Sequence, residues 1–254
     1  MSSQSPPNAP AETPAGTPTA RLRLLHAALR LFAERGYAKT SIRAIAQAAQ
    51  ANVAAVSYYY GDKAALYSAL FSEPFGDMPT LVADFTRDGL DLREAFQRYF
   101  SGVLSPLQHG EMARQYMRLH IREMLDPTEQ WEKELDQDVR QPHDAMVRLL
   151  CRHLGAAGPD DGLHRLALAI TGLAFQIWSQ QEVVAVMEPQ LLDTAEAVDA
   201  WTARLTEYAL AMVEAERALR AAAGAATTAT TATKTTVTAD APATPARRAA
   251  PRRR

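Results

Sequence analysis

The sequence predicts an all-α protein. Apolar residues recur at i, i+3, i+4 and i+7 through most of the 254 residues, the period of a helix with one buried face. No alternating apolar–polar run is long enough for a strand. Capping residues, glycines and prolines stand where such helices would begin and end.

Residues 1–18 are rich in Pro, Ser, Thr and Ala and have little to bury, which reads as a disordered leader. From Thr19 the pattern turns helical: Leu22, Leu25, Ala28, Leu29 and Phe32 form one stripe, and Gly36 ends the helix as a C-cap. The stretch from Thr40 to Leu66 then reads as two short helices and the start of a third. Ile42, Ile45, Ala46 and Ala49 share one face, with Thr40 and Ser41 placed to cap the first turn. Asn52 can cap the second helix, which carries Val53, Val56 and Tyr60 inward, and Asp62 can cap the third, starting at Lys63. Two short helices joined by a tight turn form a helix-turn-helix, whose second helix can enter a major groove.

These residues resemble the TetR (tetracycline-repressor) family of bacterial transcriptional regulators. The resemblance is carried by Ala28 to Tyr37 (A-x-x-L-F-A-E-R-G-Y), Thr40 to Ala46 (T-S-I-R-x-I-A) and Asn52 to Lys63 (N-V-A-A-V-S-Y-Y-Y-G-D-K), followed by Leu66-Tyr67. The ordered set is specific, whereas no single word in it is. It implies that Tyr60 is a core aromatic, and that Tyr58, Tyr59 and Lys63 lie near the DNA backbone, where a phenol or ammonium can donate to phosphate. Base reading would fall to Asn52, Ala54, Ala55 and Ser57, with Arg43 reaching a base or a phosphate. Thr40 and Ser41 complete the expected DNA-facing set, and Arg21 and Arg23 are either phosphate contacts or solvated arginines. Members of the family usually carry glycine where this chain has Gln50, because the turn needs φ > 0. A glutamine there costs roughly 1 kcal/mol.

Beyond Phe71 the punctuation at Pro74-Phe75-Gly76 and Met78-Pro79 should end or bend the linking helix. Helices follow at Leu90–Leu104, at Glu111–Leu125 (Met112, Tyr116, Leu119 and Met124 inward), from Thr128 to about Val139, and from Pro142 to Leu154. The segment Leu163–Val186 is apolar on most of its circumference, with small residues at Ala167, Thr171, Gly172 and Ala174. With Leu191–Arg220 it could form a four-helix interface across a two-fold axis, the usual arrangement of the family. Residues 221–254 read as a disordered basic tail ending in Arg247-Arg248 and Arg252-Arg253-Arg254. The expected divisions are thus 1–18, a DNA-binding head at 19–71, a regulatory and dimerisation body at 72–220, and the tail.

Charge follows these divisions. Residues 21–75 carry a net +4, residues 76–220 a net −10 and residues 221–254 a net +5. A basic head on an acidic body suits a DNA reader with a separate regulatory part. No apolar run approaches the roughly 18 residues a membrane span needs. The single cysteine, Cys151, excludes an internal disulfide and fits a reducing cytoplasm.

The sequence shows no catalytic or metal-binding constellation. Cys151 and His153 are two residues apart on a helix and do not face each other, and the remaining histidines are scattered. An enzyme and a cofactor are therefore not expected. A small-molecule effector is expected, because the resemblance extends to the CecR-type branch through M-R-L-x-x-R-E-M-L-x-P-T at Met117–Thr128. Its candidate lining is Phe96, Tyr99, Tyr116, His120, Met124, Phe175 and Trp178, with Met117 and Trp131 beside them; each is equally readable as core packing. The expectation is a cytoplasmic homodimeric repressor of a palindromic operator, released by an apolar or aromatic effector. An activator or ligand-independent DNA binder of the same fold, or a helical scaffold without DNA recognition, remain as alternatives.

Overall fold

A computed structural model of the chain describes residues 19–76 and 78–238. Every regular element among them is helical. The leader and the terminal arginines lie outside the described residues. Helix α1 (Ala20–Arg35) starts at Thr19, whose hydroxyl accepts the Leu22 N–H, and closes at Gly36. Helices α2 (Ile42–Ala48), α3 (Val53–Tyr60) and α4 (Lys63–Ser72) each begin on the expected side-chain acceptor: Ser41, Asn52 and Asp62. Each takes a first-turn amide that the helix itself leaves without a partner. In these four helices, two residues expected inward are exposed. Leu22 yields its core place to Leu24, and Val53 projects from the open start of α3 while Val56 fills the core.

The body opens with a helix the sequence did not suggest, α5 (Met78–Phe85), placed after the break at Pro74–Gly76. Helix α6 (Leu92–Leu104) begins with a reciprocal Asp91–Glu94 cap and runs into a 3-10 turn at Ser105–His109. Helices α7 (Glu111–Leu125) and α8 (Glu129–Leu135) follow. The break expected between α8 and α9 (Gln141–Leu154) is absent. A π turn at Asp136–Arg140 joins them, with the Gln141 N–H donating to Asp136 O. The wider turn accommodates Pro142, which has no N–H to give and whose ring crowds the preceding turn.

The long apolar segment is instead two helices, α10 (Asp161–Ser179) and α11 (Gln181–Met187). The buried Gln181 amide donates to Trp178 O at the break. The last helix, α12, runs Ala195–Thr238. The helix therefore continues past residue 220 where a disordered tail was expected; the high helix propensity of alanine favours this through residue 226, and the threonine-rich stretch beyond has no such propensity.

Two apolar cores result. The body core gathers α5, α6, α7, α9, α10 and α12 around Phe85, Phe96, Phe100, Leu150 and Ile170. The head core gathers α1 to α4 around Leu25, Phe32, Ile45, Val56 and Tyr67. Leu119 of α7 and Trp131 of α8 belong to the head core, so the body completes it.

Candidate DNA-binding surface and regulatory core

The turn between α2 and α3 is built on Gln50, whose φ is 51°. The Ala51 N–H donates to Ala46 O at 2.9 Å and the Gln50 N–H to Gln47 O at 3.1 Å. This pair of bonds is the Schellman closure, with Gln50 at the left-handed position. The turn keeps the geometry a glycine would give it, at a steric cost to the glutamine.

Beyond that turn, α3 presents Asn52, Val53, Ala54, Ser57 and Tyr58 to solvent, and Tyr58 is 81% exposed. Tyr59 stands beside it, the two rings edge to face at 4.8 Å. Ala55 is half-buried against the head core, which withdraws much of it from the reading face. Asn52 spends its side-chain oxygen on the Ala54 N–H at 2.9 Å. Its amide nitrogen and the oxygen's second lone pair remain for a base edge. Ser41 likewise accepts the Ala44 N–H. Arg43 is exposed on α2 beside this face.

Thr40 must be removed from the expected DNA contacts. It is 2% exposed, and its hydroxyl donates to Gly36 O and Leu31 O, pinning the end of α1 to the start of α2. Lys63 is half-buried; its ammonium donates to Tyr37 O at 2.6 Å and sits 4.1 Å from the Tyr37 ring centroid. Burial pushes its pKa below the usual lysine value. Much of its charge is thus engaged inside the head. Arg21 and Arg23 are also engaged: Arg21 pairs with Glu73 at 2.5 Å, and Arg23 donates to Ala49 O at the end of α2. Tyr60 is the inward aromatic the resemblance implied. Its hydroxyl donates to Arg21 O, and burial, reinforced by Glu73, pushes its pKa up to about 12.

The head joins the body through the Arg122-Glu123 pair at the end of α7, within the M-R-L-x-x-R-E-M-L-x-P-T stretch. The Arg122 guanidinium reaches Ala33 O and Glu34 O at 3.4 Å, at the last turn of α1, where carbonyls lack helical donors. Glu123 turns the other way and is 1% exposed. Its carboxylate accepts from the Tyr67 hydroxyl of α4, the Thr128 N–H at 2.7 Å and the Thr128 hydroxyl. Burial, then the bond to Glu123, hold the Tyr67 phenol far above its ordinary pKa, so it remains a donor. Sequence patterning alone did not expose this joint, because Tyr67 and Glu123 stand 56 positions apart.

The residues expected to line an effector site separate into three groups. Tyr116, His120 and Trp178 come together: the Tyr116 ring centroid is 4.2 Å from His120 and 5.9 Å from Trp178. Phe75 lies 5.0 Å from Tyr116, and Phe71, at the end of α4, lies 5.1 Å from His120. The Tyr116 hydroxyl donates to Phe71 O, tying this cluster to the linking helix. Part of His120 remains accessible, but its ring is enclosed by Phe71, Tyr116 and Trp131. Burial pushes its pKa down to about 4, so the ring is neutral near pH 7. Phe96 and Tyr99 are buried farther along α6, in the body core. Met124 and Phe175 face solvent, which removes them from any internal lining.

Phe175 belongs to a different surface. Leu168, Gly172 and Phe175 recur along the outer face of α10, and Ala200, Ala203, Tyr208, Ala211, Ala215 and Leu219 along the outside of α12. Leu168 is 61% and Leu219 66% exposed. Ala167 and Ala174, by contrast, are buried within the chain's own body. Two packed helices that each leave apolar residues uncovered, with Arg204 beside those of α12, offer the surface a subunit interface requires.

A compact head with an exposed second reading helix, braced on an acidic all-helical body, defines a helix-turn-helix regulator of transcription. Residues 24–70 match the model of the bacterial regulatory proteins of the tetR family. Residues 92–216 match that of the C-terminal domain of the HTH-type transcriptional dual regulator CecR. The CecR protein of Shigella flexneri is 30% identical over 183 residues, 67% of this chain and 81% of that relative. The chain belongs to the TetR family, in its CecR-like branch, and so to transcriptional regulators rather than enzymes. It is also 29% identical over 107 residues to the probable HTH-type transcriptional regulator YttP of Bacillus subtilis, 42% of this chain and about half (51%) of that relative's length. A tetR-family regulatory protein from Rhodococcus RHA1 shares the fold, with a TM-score of 0.54 at 22% identity over 78% of this chain and 98% of that one. No helix among the described residues is long and apolar enough to cross a membrane.

Proposed function

We propose that the chain is a cytoplasmic homodimeric repressor that reads a palindromic operator and is released by a small apolar or aromatic effector. The observation that carries this reading is the exposed face of α3, Asn52 to Tyr58, with Arg43 beside it, on a basic head joined to an acidic body. Residues 19–71 supply the reading head and residues 72–220 the regulatory and dimerisation body. The short side chains Ala54 and Ser57 give a weak half-site code, which two heads on one two-fold axis would multiply. The apolar faces of α10 and α12 supply that axis.

An effector entering the Phe75–Tyr116–His120–Trp178 cluster would have to part packed rings. The rings abut Phe71 and the end of α4, so their displacement would move the linking helix. Only a ligand with different affinity for the two arrangements could shift their balance. Activation is the second reading, favoured by the description of the CecR relative as a dual regulator.

The test is a footprint of the purified protein on DNA upstream of its own gene, at physiological salt with competitor DNA. A protected palindrome is expected. In Arg43→Glu, binding should weaken, and the slope of log K against log salt should fall by about 1 for each phosphate the variant leaves unneutralised. Protection that disappears with competitor in the unaltered protein would refute sequence-specific reading. Lys63 is a poor choice for this experiment, because its substitution would also disturb the head.

A further inference from the structure

Of the arginines between residues 76 and 220, most have a partner within the fold. Arg93 pairs with Glu207, Arg118 with Glu182 and Arg220 with Asp160, for example. In a segment of net charge −10 that is expected. Three are exceptions, Arg148, Arg152 and, on α12, Arg204, all exposed and without an ion pair or hydrogen bond among the described residues, and it is Arg148 and Arg152 that share one element. They stand one turn apart on α9, on the same side of the helix.

That side borders a groove of about 460 Å³ between α9, the chain just after α5, and the loop following α9. The volume lies within the usual range for small-molecule sites. Cys151, Ala156 and Pro159 give the groove its accessible apolar lining, over Ala145 and Leu149 buried beneath, and no carboxylate among the described residues lines it. Cys151, the chain's sole cysteine, also lines the groove, with its thiol 3.8 Å from Ala156 O. The groove is lined by none of the Tyr116, His120 and Trp178 rings.

We propose that this groove binds a small amphipathic carboxylate. Arg148 and Arg152 hold the carboxylate through charge-assisted hydrogen bonds, and the floor of Cys151, Ala156 and Pro159 takes the apolar body. A guanidinium suits this task because its planar donors match the two oxygens of a carboxylate. The requirement for both ends distinguishes this class from an inorganic anion, which would leave the floor unused, and from a neutral hydrocarbon, which would leave the arginines unused. As the chemistry of an effector, the inference rests on the reading of the chain as a ligand-responsive regulator; as a binding site it does not, and the test uses no DNA.

Octanoate and 4-phenylbutyrate are titrated into the full-length protein by calorimetry, with 1-octanol and inorganic phosphate as one-ended counterparts. The rate of Cys151 modification by a thiol reagent is followed in the same samples, so that binding is located in the groove. At least one acid should bind and slow the thiol reaction. In Arg148→Gln/Arg152→Gln, affinity should fall about tenfold or more, as expected when hydrogen bonds to charged groups are removed. Arg140→Gln, which removes a cation outside the groove, should leave affinity unchanged, and circular dichroism checks that each variant is folded. Binding by neither acid, equal binding of octanol or phosphate, or an affinity indifferent to the double substitution would each overturn the proposal. If the acids bind but the footprint fails, the site stands and the regulatory reading falls.

Discussion

Replacing Gln50 by glycine should stabilise the head. At φ 51° a side chain with a Cβ is strained by roughly 1–2 kcal/mol. Glycine removes that strain but gives back about 0.5–1 kcal/mol through its greater freedom in the unfolded chain. The Gln50 side chain is exposed and makes no hydrogen bond among the described residues, so its loss subtracts little. The expected net gain is ~0.5–1 kcal/mol, or a rise of about 1–4 °C in Tm for a chain of this size. Gln50→Ile should move the other way by about 1 kcal/mol or more, because a β-branched residue fits the left-handed region worst. Thermal and urea denaturation followed by circular dichroism measure both, and exchange of the Ala51 amide, which donates to Ala46 O, reports the turn itself. The ordering glycine, glutamine, isoleucine is the essential result. If isoleucine is tolerated as well as glycine, the turn is not left-handed at residue 50 and there is no strain for glycine to relieve.

Three further outcomes follow from the joint, the aromatic cluster and the outer apolar face. Tyr67→Phe removes one donor from the buried Glu123 carboxylate and should cost about 1–2 kcal/mol in urea denaturation; a neutral result would mean that the two groups are not bonded. His120 in the fold binds its proton less readily than in the unfolded chain, so its contribution is fully present above about pH 6.5 and is lost as pH falls toward about 4. The loss should reach ~1–3 kcal/mol, the lower figure allowing for water at the accessible part of the ring, and His120→Gln should flatten the stability profile in that window. Leu168→Glu with Phe175→Glu places two carboxylates on the uncovered face of α10 and should convert a dimer to monomers in sedimentation velocity; an unaltered protein that already sediments as a monomer would refute the proposed interface.

What could be read from the sequence was local. Ser41, Asn52 and Asp62 were recognisable as caps because a cap acts within three residues of itself, and Gln50 marked its own turn by standing where glycine usually does. The all-helical class followed from a period repeated throughout the chain. Features that depend on distant neighbours were not legible. Leu22 and Leu24 are both apolar and near the start of α1, and only the arrangement of the other helices decides that Leu24 enters the core. Phe175 and Trp178 are three residues apart, yet one faces solvent and the other donates from its indole N–H to Val103 O in the body. Thr40 has the look of a surface hydroxyl until the end of α1 is in place to supply its two acceptors. The continuity of α8 into α9 is hidden because Pro142 ordinarily signals a stop, and a π turn is an uncommon way around it.

Leu119 and Trp131 give the head part of its interior from outside its own sequence boundaries. Cutting the chain after residue 71 would therefore uncover a hole rather than release a finished module. A chimera that grafts another DNA-binding head onto this body would inherit the Trp131 indole, packed 5.3 Å from Phe71, and the buried Leu119, and the grafted helices would have to accept them. Under the proposed reading, the exposed positions of α3 can change without disturbing this shared core. Exchange of the whole head on this body, in contrast, requires the seventh and eighth helices to change with the first four.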